Sequence, residues 1–243
     1  MARLHLAWRA GLLGASIAIA GCAGVPVERG ADEYRAATLR PLTSGTQVAL
    51  LPVKVPPTDV AAGDHLVLQQ LEAQLRAAGL QVVSVDAARF EAMWANEVRA
   101  VGGLYDPASG ALRTGAYGTA LSQMARHVAR ETHAAFVIDH RLVVRHAELS
   151  GGNAQWDGQR RTQPTLRAYG SESRFDGTTT ALSVQLLVLS AGGDLLLKSF
   201  GGTSLPYAAD VREGRFVLRP GLFDNPDETA DGVRVALRPL LGS

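Results

Sequence analysis

The side chains best suited to metal binding or nucleophilic chemistry are one cysteine and six histidines, scattered along the chain. The histidines show neither the i, i+4 helical pair nor the Cys/His spacing of a zinc site. On one strand, His140 and His146 would lie about 20 Å apart, too far to share a metal ion. We therefore expect no metal site and no bound cofactor. The six are His5, His65, His127, His133, His140 and His146.

Hydrolase and nucleotide-binding motifs are also missing. A serine hydrolase needs a motif such as G-x-S-x-G at a strand-to-helix turn, and neither 201–204 nor 109–110 has that spacing. The P-loop and the G-x-G-x-x-G fingerprint are absent as well. Carboxylates such as Asp106, Asp139 and Asp157 could converge in space, but single loop acids more often cap helices and form turns. We expect the chain not to be an enzyme.

The first 21 residues have the layout of a secretory signal. Arg3 and Arg9 precede an uncharged apolar stretch over 10–20, and no acidic residue occurs there. That stretch is about half of the roughly 20 residues that a membrane-spanning helix requires. We predict that residues 1–21 are a signal peptide, removed on export.

Directly after this stretch, Ile19-Ala20-Gly21-Cys22 resembles the bacterial lipobox, which is cut before a lipid-modified cysteine. The resemblance implies two or three acyl chains on Cys22, and at about 0.8 kcal/mol per buried methylene they would anchor the protein permanently. As the only cysteine, Cys22 has no internal disulfide partner. Ala23 replaces the aspartate typical of inner-membrane retention, which favours the outer membrane, facing the periplasm. An incidental cysteine beside an ordinary cleavage site and an uncleaved anchor are the alternatives.

The charge balance argues against nucleic acid as a partner. The chain has 24 basic and 23 acidic side chains, so removal of Arg3 and Arg9 with the signal leaves a formal charge of −1. A nucleic-acid binder would concentrate a basic excess on one face. The densest basic pair, Arg160-Arg161, is interpreted as part of a solvated loop.

The hydrophobic pattern predicts a mixed α/β (α+β) fold in a single globular domain over 46–243. A lipidated N-terminus and linker over 22–45 would precede it, with a short helix around 32–38 as an option. Buried strands at 46–53 and 80–85 are each followed by an amphipathic helix, which favours a parallel pair.

The second half of the domain is predicted to be richer in strands. After a third helix come a long strand over 135–147, a polar excursion over 150–177 and a hairpin with arms at 178–189 and 194–200. Asn225-Pro226 predicts the start of a closing helix, because asparagine caps helices and proline suits their first position.

Two loops are the candidate partner-binding surfaces. The turn-rich loop 102–110 carries Tyr105, and loops on rigid scaffolds often carry function. In the 150–177 excursion, Trp156 and Asp157 could form an exposed aromatic anchor for a partner or glycan. The alternative is a tight turn whose indole closes the edge of the core. If both loops lined one concavity, they could instead form a ligand site.

The order of elements after the lipobox resembles that of periplasmic lipoproteins with a TolB N-terminal-like domain. This group includes the curli-secretion lipoprotein, activators of penicillin-binding proteins and a ring-forming polysaccharide-export lipoprotein. The resemblance rests on Val48–Val53, the first helix to Gly79, Leu80–Asp86 and the hairpin with Gly192-Gly193.

The resemblance implies a non-enzymatic scaffold or accessory subunit of an envelope assembly or export machine. Its partners would be the membrane, through the lipid on Cys22, and an envelope protein, with a homo-oligomer left open. The alternative function is a ligand-binding module or an envelope hydrolase whose site is built from loops 102–110 and 150–177.

Overall fold

The computed structural model describes residues 32–53, 61–166, 176–210 and 213–242. Within these ranges, helices cover both faces of an eight-stranded mixed sheet, and a three-stranded sheet completes the fold. This confirms the predicted mixed α+β class. No helix of the described residues is both long and apolar enough to cross a membrane. The helices are α1 (Ala61–Ala77), α2 (Ala87–Ala100), α3 (Thr114–Thr132) and α4 (Pro226–Leu241).

The large sheet mixes parallel and antiparallel strands. It contains β1 (Tyr34–Arg35), β2 (Gln47–Leu50), β3 (Gln81–Ser84), β4 (Phe136–Ser150), β5 (Asn153–Trp156), β6 (Gln159–Thr162), β8 (Gly177–Ser190) and β9 (Leu195–Gly202). The order is β1-β9-β8-β4-β2-β3, with β5 paired to the end of β4 and β6 paired to β5. Strands β2, β3 and β4 run parallel, and β8, β9 and β1 continue the sheet antiparallel.

The small sheet has the order β11-β10-β7. It contains β7 (Thr165–Leu166), β10 (Tyr207–Asp210) and β11 (Arg215–Leu218). Strands β10 and β11 form an antiparallel hairpin, and β7 runs parallel to β10.

Alternate residues of the long strands face different cores because successive side chains of a strand point to opposite faces. Ile138 and Leu186 pack with α1 and α4, whereas their neighbours Val137 and Leu187 pack with α2 and α3. Towards the far end of β4, a third cluster forms around Ala147. Its other members are Leu149, Ala154, Trp156, Ala181 and Leu205.

Local signals placed the helix ends correctly. Asp86 caps α2 by accepting a hydrogen bond from Arg89 N at 2.9 Å, and Asn225 caps α4 by accepting from Asp227 N at 3.1 Å. After α1, Gly79 has a φ of +81°, the left-handed conformation expected of a residue that ends a helix.

Three sequence predictions differ from the structure. No helix forms over 32–38; Tyr34–Arg35 form strand β1, which pairs with β9, and the flanking residues form turns or irregular structure. In its described part, the supposed polar excursion over 150–177 contains β5, β6 and β7, and its buried side chains complete the cluster around Ala147. The predicted linker also differs, because residues 32–45 lie on the domain, with Leu39 only 4% exposed.

Candidate functional site

The N-terminal arm, residues 32–45, lies along the edge of the large sheet. In β1, Tyr34 is opposite Lys198 of β9. Further along, Leu39 packs into the core shared by α1 and α4, and Leu42 N donates a hydrogen bond to Leu240 O at 2.9 Å. The arm therefore belongs to the folded domain and connects it to the segment that carries Cys22.

Arg145 of β4 joins this arm to the β5–β6 hairpin. Its Nε and Nη2 donate to Asp157 at 2.9 and 3.1 Å, while Nη1 and Nη2 donate to Asp32 at 3.2 and 3.1 Å. Each carboxylate thus receives two guanidinium hydrogen bonds, a geometry that is both strong and orientation-specific. We call Asp32, Arg145 and Asp157 the arm clamp.

Buried residues of β8 and β9 contact Arg145 and Asp157 of the clamp. The guanidinium carbon of Arg145 lies 4.3 Å from the centre of the Phe200 ring, which favours the cation. Ser183 Oγ donates to Asp157 Oδ2 at 2.7 Å, and Gly202 N donates to Asp157 O at 3.0 Å. The exposed fraction of the side chain is 43% for Asp32, 24% for Arg145 and 5% for Asp157. The contact between Arg145 and Asp157 is therefore the one shielded from water.

Both pKa shifts in the clamp favour the charged forms. Burial raises the pKa of Asp32, but hydrogen bonds and charge from Arg145, with a further contribution from Lys198, bring it below its ordinary value. Burial lowers the pKa of Arg145, but the hydrogen bonds and charges of Asp157 and Asp32 raise it by more, so that the pKa lies above its ordinary value. The contact between Arg145 and Asp32 therefore stabilises the charged form of each, and Lys198 Nζ lies a further 3.5 Å from Asp32.

A two-residue turn delivers Asp157 to the clamp. Trp156 and Gln159 are paired at the end of the β5–β6 hairpin, and the residues between them have positive φ angles, +32° at Asp157 and +73° at Gly158. Aspartate followed by glycine tolerates this conformation and is the strongest short hairpin signal.

Trp156, predicted as an exposed partner-binding anchor, is a core residue. Its side chain is 5% exposed, and its Nε1 donates to Leu182 O at 3.1 Å. The exposed interpretation is thus wrong for Trp156, because the hairpin folds its indole onto the sheet beside Gly202. Asp157, the other predicted residue of this turn, is committed to Arg145. The structure instead has the alternative arrangement, a tight turn in which the Trp156 indole closes the edge of the core.

Tyr105, the third predicted partner-binding residue, lies at the surface with 63% exposure. It forms a bridge with Leu112, which is 46% exposed. The flanking bonds, Asp106 N to Ala111 O at 2.9 Å and Arg113 N to Leu104 O at 2.7 Å, make this a non-hydrogen-bonded pair. In such pairs the two side chains stand close together on one face. We call residues 102–113 the display hairpin.

Internal bonds make the display hairpin rigid. Asp106 Oδ1 accepts from Ser109 N at 2.8 Å, Ser109 Oγ at 2.9 Å and Ala108 N at 3.0 Å. The two bonds from Ser109, followed by the one from Ala108, lower the pKa of Asp106. Arg113 Nη1 donates to Gly102 O at 2.9 Å and Gly103 O at 3.0 Å, which closes the base of the hairpin. Tyr105 and Leu112 are thus presented in a fixed arrangement.

The elements that carry the two segments named for a ligand site belong to different core clusters. Helices α2 and α3, which the display hairpin joins, pack around Val137, whereas Ala154 and Trp156 pack around Ala147.

The remaining site predictions concern lipidation and metal binding. Cys22, the predicted lipidation site, lies outside the described residues. Across the part of the chain that the structure describes, no group of three or more His, Cys, Asp or Glu side chains could hold a metal ion. Sequence reasoning missed Asp32 and Arg145, although the Asp-Gly dipeptide at 157–158 was a usable signal for the turn.

Comparisons with known proteins give only a distant likeness. No protein-family model matches the chain, and no curated protein matches it. Among solved structures, the chain is similar to the PelC dodecamer from Paraburkholderia phytofirmans, with a TM-score of 0.40 and 14% identity over 86% of this chain and 94% of that one. A substitution variant of the PelC dodecamer gives a TM-score of 0.39 and 13% identity over 86% and 96% of the two chains.

Proposed function

We propose that this protein is a lipoprotein of the outer membrane, anchored through Cys22 and facing the periplasm, which acts as a non-enzymatic scaffold or accessory subunit of an envelope assembly or export machine. The observation that carries the proposal is the signal layout that ends in Ile19-Ala20-Gly21-Cys22. A lipidated cysteine at this position would tether everything that follows it.

The arm clamp defines which end of the domain would lie near the membrane. Ten residues separate Cys22 from Asp32, and even fully extended they span at most about 35 Å. A lipid on Cys22 would thus keep the clamped end of the domain within that distance of the bilayer. A force along the tether would act on β4 through Arg145 and on β9 through its pairing with β1.

The display hairpin supports a partner-binding role. An aromatic and an aliphatic side chain, Tyr105 and Leu112, project from a backbone that is already ordered. Ordering before binding reduces the entropy lost on association, and tyrosine is enriched at the energetic centres of interfaces. We assign the envelope-protein contact to this hairpin.

The test of the anchor is fractionation of a Cys22→Ser variant beside an Ala20→Ser control, which keeps a small residue in the lipobox. The Cys22→Ser protein should lose labelling with palmitate and globomycin-sensitive processing, whereas the control should keep both. Equal labelling and processing of the two variants would refute the lipoprotein proposal.

The test of the scaffold role is cross-linking of the anchored protein in intact envelopes. The proposal predicts one dominant protein adduct through a photoreactive residue placed at Tyr105. The same probe placed at Tyr34, on the clamped arm, serves as the control. Adducts that do not differ between the two positions would contradict the assignment of the hairpin. Turnover of an envelope substrate by the purified protein would contradict a non-enzymatic role.

A further inference from the structure

Between β6 and the start of α4 lies a cleft of about 310 Å³. Arg160 and Arg161 line one side, Arg219 and Glu228 the other, and Pro164 and Leu205 give it an apolar wall. We call it the arginine cleft. Its volume is at the lower end of the range for small-ligand sites, sufficient for about one sugar-sized unit.

Two of the three arginines are held in fixed positions. Arg219 forms a two-point ion pair with Glu228, at 3.1 Å from Nη1 and 2.7 Å from Nη2, and Nη2 also donates to Leu222 O. Arg161 Nη2 lies 3.3 Å from Glu228 O and 3.4 Å from Asp231 Oδ2. A ligand would thus meet guanidinium groups that are already oriented.

Positive charge exceeds negative charge around the cleft. Arg161 and Arg219 line the cleft, and the carboxylates of Glu228 and Asp231 are paired with them. Arg160 adds a third guanidinium to the lining and belongs to none of the ion pairs found among the described residues. Asp227, the other acid in the first turn of α4, is exposed and does not line the cleft.

Arg161 is incompletely hydrogen-bonded, because its buried Nε has no partner within the described residues. A ligand would reach this guanidinium through its exposed part, since the side chain is 20% exposed. The Arg160 side chain is exposed on the same strand, and Thr162 contributes a hydroxyl to the lining. Guanidinium donors of this kind match the oxygens of carboxylates and phosphates.

We propose that the arginine cleft binds a small ligand that carries a carboxylate or a phosphate group. Arg161, on the face of the β5–β6 hairpin that carries buried Ala154, and Arg160, on the outer face of this edge strand, bind the anion from two sides of the strand. Arg219 and Glu228 keep the opposite wall in place, and Pro164 covers the uncharged part of the ligand. The site lies at the surface, so anion binding weakens as salt screens the arginines. This proposal does not depend on lipidation of Cys22.

The test is calorimetric titration of the whole chain in detergent micelles at low ionic strength. The probes are glucose 6-phosphate, galacturonate and, as the uncharged control, glucose. At least one of the two anions should bind saturably, and glucose should not. Binding of only one anion supports the proposal and identifies the recognised group as a phosphate or a carboxylate.

A charge-reversal pair completes the test. Arg160→Glu should weaken anion binding about tenfold or more, because it removes charge-assisted bonds and adds repulsion. Arg130→Glu, the same change at an exposed position on α3, should alter it less than about twofold. Both side chains are exposed, so both variants should melt near the parent temperature. Absence of saturable anion binding, equal binding of glucose, or equal effects of the two variants would overturn the proposal.

Discussion

Replacing Arg145 with methionine is the sharpest test of the arm clamp. Methionine keeps much of the aliphatic volume over Phe200 but removes the cation that both carboxylates share. Asp157, whose side chain is 5% exposed, then loses its guanidinium partner, and among the described residues the Ser183 hydroxyl is the side-chain donor that remains. Asp32, at 43% exposure, can turn to water instead.

The two halves of the clamp should therefore contribute unequally. Loss of one partner from a buried ion pair costs about 3–5 kcal/mol, and the partial exposure of Arg145 places this case near the lower limit. The Asp32 half resembles a surface pair, at roughly 0.5 kcal/mol. Together they predict a loss of about 3–4 kcal/mol in the free energy of unfolding. Asp32→Asn alone should cost less than about 1 kcal/mol and act mainly on the arm.

Urea unfolding of the variant gives the global value, and hydrogen exchange at the Ala36 amide, which donates to Leu196 O at 2.8 Å, reports release of the arm. The matched control is Arg141→Met on the same face of β4, where the Nε of the exposed arginine donates to an uncharged acceptor, Gln185 Oε1, at 2.6 Å. That loss should cost about 1 kcal/mol. If Arg145→Met costs no more than Arg141→Met, or leaves exchange at Ala36 unchanged, the clamp does not hold the arm.

Three further predictions follow from the same geometry. Because the pKa of Asp32 is lowered from 3.8, its contribution to stability is present above about pH 4 and is lost as pH falls through the lowered native value. The protection factor at the Ala36 amide, the exchange rate corrected for its intrinsic pH dependence, should fall over that range, and Asp32→Asn should remove this fall. With the photoreactive residue at Tyr105, the further change Leu112→Ser should strongly reduce cross-linking to the partner and shift the unfolding free energy by less than about 0.5 kcal/mol, since the Leu112 side chain is exposed. Gly201→Ala should destabilise by about 1–3 kcal/mol in urea unfolding, because the added Cβ would lie 1.9 Å from Gly232 O; Gly115→Ala, with open space around it, should not.

Local chemistry explains what the sequence predicted well. Asp86 and Asn225 cap the helices that follow them, since a side-chain acceptor two or three residues before a backbone donor acts within one turn. Strands β8 and β9 were predicted because branched and aliphatic side chains persist along both arms. In each case the signal and the structure lie within a few residues of one another.

The arm clamp was missed because its partners are far apart in the sequence. Asp32 and Arg145 are separated by 113 residues, and nothing in the local pattern of either predicts the other. Strand β6 escaped notice for a different reason, because its sequence, Gln-Arg-Arg-Thr, has no apolar residue to reveal a strand. The turn at Asp157-Gly158 was visible, but only the folded chain shows that it carries Asp157 back to Arg145.

The intact mass of the protein extracted from envelopes tests the lipidation of Cys22 most directly. Lipidation predicts a chain that begins at Cys22 and exceeds the mass of residues 22–243 by two or three acyl chains and their glycerol. A chain that begins elsewhere, or one that begins at an unmodified Cys22, would contradict it.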